Sequence, residues 1–246
     1  MQEIPMLMIK KRIRRKRRRR RTTITLVLVI ILLIVSLLPI FKIAKVDIKG
    51  TANNQVVGYT NSLKGQNIWW HKLDAIQKKI TSYPTIKLAT AKRHFPNILE
   101  IDVTERKATA FTFVASKYII ISEDGVVLEV SDNAPAKLIE IKGLKSANLQ
   151  IGDSFIEIGT DNYNKYICII SQFADFGILN NIKYIDLSAK STAIIKYNNF
   201  TIDFGKTDLA ENKMKLLSDI INKSSKETKA EIDVSNGKKA YFKEIY

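Results

Sequence analysis

Two histidines and one cysteine are the only His and Cys residues in a chain of 246 residues. His71 and His94 have no HxxxH or HExxH partner. Cys168 has no second cysteine, which excludes an internal disulfide and a Cys-rich zinc site. No GxSxG, SxxK or GxxxxGK[ST] stretch occurs. Glu123 and Asp124 are adjacent acids of the type used for proton transfer. Gly125 follows them, however, and an Asp-Gly step between apolar runs serves a hairpin turn. Asp186 and Asp233 close similar Ile-Asp stretches and read as turn or strand-end residues. Cys168 lies in apolar helical spacing, where a thiol packs as a small hydrophobe. Catalysis needs a nucleophile or a metal with an organising base, and these spacings assemble neither.

The strongest chemical signal is charge. The formal net charge is +16, which suggests a nucleic-acid partner until its distribution is examined. Eleven of the 40 Lys and Arg residues lie between Lys10 and Arg21, the densest part being Arg14, Arg15, Lys16, Arg17, Arg18, Arg19, Arg20 and Arg21. Residues 22–246 hold 29 basic and 23 acidic residues, so the remainder is only mildly basic. The run has no interleaved aromatics on which bases could stack. Directly after it, Thr22 to Phe41 contains no charge and is dominated by Leu, Ile and Val. Twenty residues at the helical rise span about 30 Å, the thickness of a bilayer's hydrocarbon core. The segment is longer than a signal-peptide core and has no small-x-small cleavage site after it. The sequence therefore predicts an uncleaved single-pass anchor. The basic run is its topology signal, residues 1–21 form a cytoplasmic tail, and residues 42–246 are exported. A nucleic-acid tether through the basic tail is the alternative, marked by a steep salt dependence. A membrane-tethered cell-wall enzyme is a weaker one.

The exported part must supply whatever function there is. Ala44, Val46 and Ile48 alternate with Lys45, Asp47 and Lys49, as in a strand buried on one face. Asn53 or Asn54 caps a helix with Val56, Val57, Thr60 and Leu63 inside, and Gly65 stops it. Trp69 and Trp70 fall in a connection, and a second helix runs from about Lys72 to Tyr83. Ile86–His94 and the alternating Leu99, Ile101 and Val103 form a hairpin around Phe95-Pro96-Asn97. The order β-α-α-β-β over residues 42–107 predicts a compact α+β domain. Residues 108–246 predict a second, mixed β-sheet domain with two helices. Strands are expected at Tyr118–Ile121, Val126–Val130, Leu138–Lys142, Ile182–Leu187, Ala193–Tyr197 and Phe200–Phe204. One helix carries Tyr163, Tyr166, Ile167, Ile170 and Phe173 before Gly177. The other carries Leu209, Lys213, Leu216 and Leu217 and is expected to be capped by Thr207. Ala230–Ser235, Asn236-Gly237 and Lys238–Ile245 read as a terminal hairpin.

Taken in order, KIAKVDIKGTANN, SLKGQNIWWHKL, ITSYPTIKLATAKRHFPNILEIDVTERKATA and KYIIISEDGVVLEV resemble the bacterial division family FtsQ, called DivIB in Gram-positive bacteria. The first three cover a unit resembling that family's POTRA domain, with counterparts of its landmarks at Val46, Gly50, Gly65, Pro84, Arg93, Pro96, Glu105 and Arg106. YIDLS and EIDVSNGKKAYFK match the later part of its β domain. Two departures stand out. Ala108 takes the place of a common proline, and ISEDG replaces the usual ID.DG.

The resemblance implies a non-enzymatic, membrane-anchored scaffold at the division septum, without a cofactor. It implies binding to FtsL-type and FtsB/DivIC-type single-pass coiled-coil proteins and, through them, control of septal peptidoglycan synthesis. It also places partner contacts on the terminal strand, here Lys239, Ala240, Tyr241 and Phe242. If that strand lies at a sheet edge, its free N–H and C=O groups can receive a partner strand. The competing view is that Lys238, Lys239 and Lys243 only guard the edge against aggregation.

Overall fold

A computed structural model describes residues 5–51, 53–144, 150–189, 192–225 and 228–245. The chain divides into two compact units. One holds the residues up to Ile80 together with Ala89–Val103; the other holds Thr81–Leu88 and everything from Thr104 onwards.

The first unit opens with helix α1, Pro5–Ser36, which carries Arg14 to Arg21. Arg20 and Arg21 are exposed. The sequence predicts one helix through Phe41, but α1 stops at Ser36, and Pro39–Phe41 forms a separate 3-10 turn. Proline disfavours the helical region for the residue before it, and Leu38 accordingly has ψ 145. The uncharged part of α1 is thus roughly 22 Å long at the helical rise. Among the described residues no helix is long and apolar enough to cross a membrane.

Strand β1 (Lys45–Lys49), helices α2 (Asn54–Ser62) and α3 (Leu73–Thr81), and strands β2 (Ile86–His94) and β3 (Ile98–Glu105) follow in the β-α-α-β-β order. The sheet order is β1-β3-β2, with β1 parallel to β3. Asn53 is the cap of α2, its side chain accepting from the N–H groups of Gln55 and Val56. Val56, Thr60, Ile76 and Ile80 bury one side of the two helices, and Leu99, Ile101 and Val103 bury one side of β3. Gly50 has φ +82, and a Cβ there would collide with the carbonyl oxygen of Val103. Only glycine fits this exit from β1.

The second unit is built on a nine-stranded sheet with two helices. Its strands are β4 (Ala108–Val114), β5 (Lys117–Ser122), β6 (Val127–Ser131), β7 (Ile139–Lys142), β8 (Ile182–Asp186), β9 (Ile194–Tyr197), β10 (Phe200–Asp203), β11 (Ala230–Asp233) and β12 (Tyr241–Glu244). Helix α4 (Asp161–Asp175) lies between β7 and β8, and helix α5 (Ala210–Lys223) between β10 and β11. The sheet order is β12-β11-β10-β9-β8-β7-β4-β5-β6. The pairs β7·β8 and β10·β11 are parallel. A parallel neighbour requires a crossover, which α4 and α5 supply. Ile121, Ile141, Ile185, Ile195, Ile202 and Ile232 of the sheet, Phe173 of α4 and Leu217 of α5 form one core.

Strand β4 is absent from the expectations above. Ala110 and Thr112 face the core while Phe113 is exposed, so the larger side chains point outwards and the apolar alternation is inverted. Thr207 does not cap α5. Leu209 precedes that helix in the left-handed region, and Asp208 accepts from the buried Lys213 ammonium instead.

Candidate functional site

Apart from the His71 imidazole, the polar side chains weighed for catalysis meet structural partners. His94 Nε2 lies 2.9 Å from Glu100 Oε2 at the surface. The backbone carbonyl of His71 accepts from Arg93 Nη2, whereas its side-chain Nε2 is buried with no hydrogen-bond partner among the described residues. Asp124 accepts from Arg106 Nε at 2.9 Å and from Ser122 Oγ at 2.6 Å. Burial pushes its carboxyl up, but these two donors outweigh it and hold the group below the usual carboxylate range. Glu123 pairs with Lys87 Nζ at 3.1 Å and accepts from the N–H of Lys107. Arg106 also donates to the carbonyls of Pro84 and Ile86, so it ties the entry to β2 to Asp124. Asp186, Asp203 and Asp233 each accept from the N–H two residues on, which ends their strands. Burial pushes the Cys168 thiol up, which favours its protonated form. Among the described residues no three His, Cys, Asp or Glu side chains gather as metal ligands.

The terminal strand has a different character. β12 is the last strand of the sheet, with β11 as its single neighbour among the described residues. The pairing is antiparallel, with Asp233 opposite Tyr241, Ile232 opposite Phe242, Glu231 opposite Lys243 and Ala230 opposite Glu244. The N–H of Ile245 donates to the carbonyl of Lys229 at 2.9 Å. In an antiparallel ladder every second residue turns its polar groups to the neighbour. Lys243 and Tyr241 therefore face β11, and the N–H and C=O of Phe242 and Glu244 point to the open edge. All four residues of β12 are exposed, Tyr241 by 60% and Phe242 by 40%.

The strand is shorter than the Lys238–Ile245 expected. Asn236 Oδ1 accepts from the N–H groups of both Lys238 and Lys239, which holds them in the turn. Lys239 and Ala240 thus precede the strand, and Ala240 packs against the core. Of the four residues expected at the partner site, only Tyr241 and Phe242 stand on the edge strand.

Side chains alternate across the sheet, so Tyr241 and Lys243 share a face with Glu231, Asp233, Thr201 and Asp203. They line a hollow of about 380 Å³ together with Ile194. Burial pushes the Asp203 carboxyl up, against the N–H of Gly205 that stabilises its charge, and the neighbouring Asp233 adds to the rise. The hollow is an apolar floor rimmed by carboxylates beside an open backbone edge. Sequence reasoning did not find Asp203 or Ile194, because the strands that bring them beside Tyr241 are joined by helix α5 and long connections.

Residues 41–106 match the model of the FtsQ-type POTRA domain. The chain is 32% identical over 213 residues to the cell division protein DivIB of Clostridium botulinum strain Hall, covering 80% of each chain. It is 29% identical over 206 residues to DivIB of Clostridium acetobutylicum, covering 80% of this chain and 81% of that one. The cell division protein FtsQ of Corynebacterium glutamicum matches at 24% over 124 residues, 49% of this chain and 55% of that one. The major extracytoplasmic domain of the trans isomer of DivIB from Geobacillus stearothermophilus, a solved structure, overlays at a TM-score of 0.31 and 12% identity, covering 50% of this chain and 99% of that one. With a POTRA unit, a mixed sheet with two helices and this sequence kinship, the chain belongs to the DivIB/FtsQ family of bacterial cell division proteins.

Proposed function

We propose that the protein is a non-enzymatic, membrane-anchored scaffold of the division machinery, and that it binds FtsL-type and FtsB/DivIC-type partners by accepting a strand at β12. The observation that carries this reading is the open edge at Phe242 and Glu244 with two exposed aromatics beside it. Backbone bonds supply the attachment, and Tyr241 and Phe242 supply anchors of a kind that dominates interface energies. Lys239, held by Asn236, and Ala240, packed on the core, lead into the strand and complete the proposed contact segment. Control of septal peptidoglycan synthesis would pass through these partners.

Anchoring is part of the proposal. Its support is the run of exposed apolar side chains from Ile24 to Ile40, which water disfavours and a bilayer accommodates. The 3-10 turn at Pro39–Phe41 extends the uncharged segment beyond α1, from Thr22 to Phe41. Arg14 to Arg21 at its start would keep the N-terminus in the cytoplasm. In this reading residues 1–21 are the tail and 22–41 the anchor. Residues 42–107 and 108–246 are the two extracytoplasmic domains.

The test replaces Tyr241 and Phe242 by Lys in the full chain, tagged at its N-terminus with a fluorescent protein. The expected result is a folded protein in the membrane that no longer captures its partners and fails to form a late midcell band. The reading is overturned by unchanged partner capture and midcell recruitment in the double variant, or by a uniform membrane signal for the unaltered chain throughout division.

A further inference from the structure

The chain has only two tryptophans, adjacent at Trp69 and Trp70. Both are exposed, by 49% and 71%, although such large rings are normally covered. Trp69 stacks on Phe95 with ring centroids 4.6 Å apart and meets Phe41 at 6.0 Å. Phe95 is itself 53% exposed, so the stack is a surface feature and not a core.

Their loop is fastened to the exit of the apolar helix. Asn67 Nδ2 donates to the carbonyl of Ser36, the last residue of α1, at 2.7 Å. The N–H of Ile68 donates to the carbonyl of Phe41 at 2.9 Å, and Lys42 and Asn67 form a bridge. Asn67 Oδ1 accepts from the N–H of Trp69, and Arg93 Nε donates to the carbonyl of Ile68. The aromatic patch is therefore held at a fixed place beside the end of α1, continuous with the exposed Leu37, Leu38 and Ile40. Lys42 and Lys72, both exposed, flank it in sequence.

We infer that Trp69, Trp70 and Phe95 dock the first unit onto the lipid headgroup region where the anchor leaves the bilayer. This rests on the anchoring proposed above. The indoles of Trp69 and Trp70, apolar rings with one N–H, favour that layer, Phe95 backs them by stacking, and the flanking lysines complement anionic headgroups. The continuity with the exposed apolar segment, to which the loop is hydrogen-bonded, selects the bilayer as occupant. The consequence is that the first unit is seated on the membrane and does not swing on a free tether.

The test uses the full chain in vesicles of phosphatidylcholine and phosphatidylglycerol, with acyl chains brominated either near the headgroup or near the bilayer centre. Flotation reports the anchor, and tryptophan emission reports only Trp69 and Trp70. The expected result is co-flotation with emission quenched more by the shallow label than by the deep one. Trp70→Ala should remove more than half of the quenched signal and leave flotation unchanged. Failure to float would overturn both the anchor and the docking. Flotation with unquenched emission, or stronger quenching by the deep label, overturns the docking alone. Unquenched emission that changes with the protein-to-lipid ratio assigns the patch to a second copy and also overturns it.

Discussion

Strand acceptance at β12 makes a prediction that separates the two sides of one strand. Glu244 turns its N–H to the open edge, and Lys243 turns its N–H to the carbonyl of Glu231. Proline removes an N–H at either place, and proline on a sheet edge is tolerated where the lost N–H faces outwards. Glu244→Pro should therefore leave the fold within about 1 kcal/mol of the unaltered chain. Lys243→Pro breaks a ladder bond and strands the carbonyl of Glu231, at a cost of about 1–3 kcal/mol.

The order reverses for binding. An incoming strand bonded at Glu244 loses one bond, which contributes about 0.5–1.5 kcal/mol net. The pyrrolidine ring also holds the two backbones apart. A factor of ten in affinity corresponds to about 1.4 kcal/mol, so Glu244→Pro should weaken binding by about tenfold or more. Glu244→Gln removes the charge but keeps the N–H, and it should bind as the unaltered chain does. The assay is fluorescence anisotropy of a labelled extracytoplasmic segment of an FtsB/DivIC-type partner, with urea unfolding of each variant in parallel. Unaltered affinity in a folded Glu244→Pro would refute the edge geometry. Equal losses in the Pro and Gln variants would point to charge instead.

Other consequences are local. Arg106→Ala removes the guanidinium donor to the carbonyls of Pro84 and Ile86 and leaves the Asp124 carboxylate with Ser122 as its remaining side-chain donor, and should cost about 3 kcal/mol in urea unfolding. Because the Asp124 carboxyl is held below its unfolded value, its contribution is fully present above the unfolded value and is lost as pH falls through the folded one; Asp124→Asn should flatten that acid limb. The Asp203 carboxyl is displaced upwards, so the sign is opposite and stability falls as pH rises through its range; Asp203→Asn keeps the bond from Gly205 and should stabilise the neutral protein, as read by thermal unfolding. Tyr166→Phe removes the buried bond from its hydroxyl to the carbonyl of Ser122, 2.7 Å long, and should cost about 1–3 kcal/mol. Gly50→Ala should cost about 2 kcal/mol or more through positive φ and the clash with Val103, measured by the same unfolding.

Where burial and local geometry agree, the fold was legible in the sequence. Leu99, Ile101 and Val103 alternate and lie inside, Asn53 caps the helix it precedes, and Tyr166, Ile170 and Phe173 form the inner side of α4. It was illegible where a tertiary partner reverses the local rule. Phe113 points outwards from β4 and Ala110 inwards, so composition conceals that strand. Lys165 and Lys213 are fully buried yet satisfied, by Asp161 and by Asp208 with the carbonyl of Lys206; Lys213 falls in the inner spacing of its helix, but the carboxylate and carbonyl that make its burial tolerable are set by tertiary structure. At the candidate site, Tyr241 and Phe242 were legible as aromatics in a terminal strand. The direction of each N–H was not, because it follows from the register with β11.

The two ends of the large sheet are treated differently, and the difference bears on function. An open edge invites aggregation, and proteins ordinarily blunt it. At one end, β5 and β6 pair with a register shift between Ile120 and Ile121, which disrupts a regular edge. Val127 of β6 already donates to the carbonyl of Asp153 and accepts from the N–H of Gly152, so that edge is partly occupied by the chain's own backbone. At the other end, the outward groups of Phe242 and Glu244 meet no backbone among the described residues. Two aromatics stand beside them where lysine or proline would serve protection better. Lys243 is the one cation within the strand. Blunting is thus heavier at the β6 end, and lighter at the end that carries the exposed Tyr241 and Phe242. Such asymmetry is costly for an isolated protein, and it becomes favourable once a partner strand covers β12.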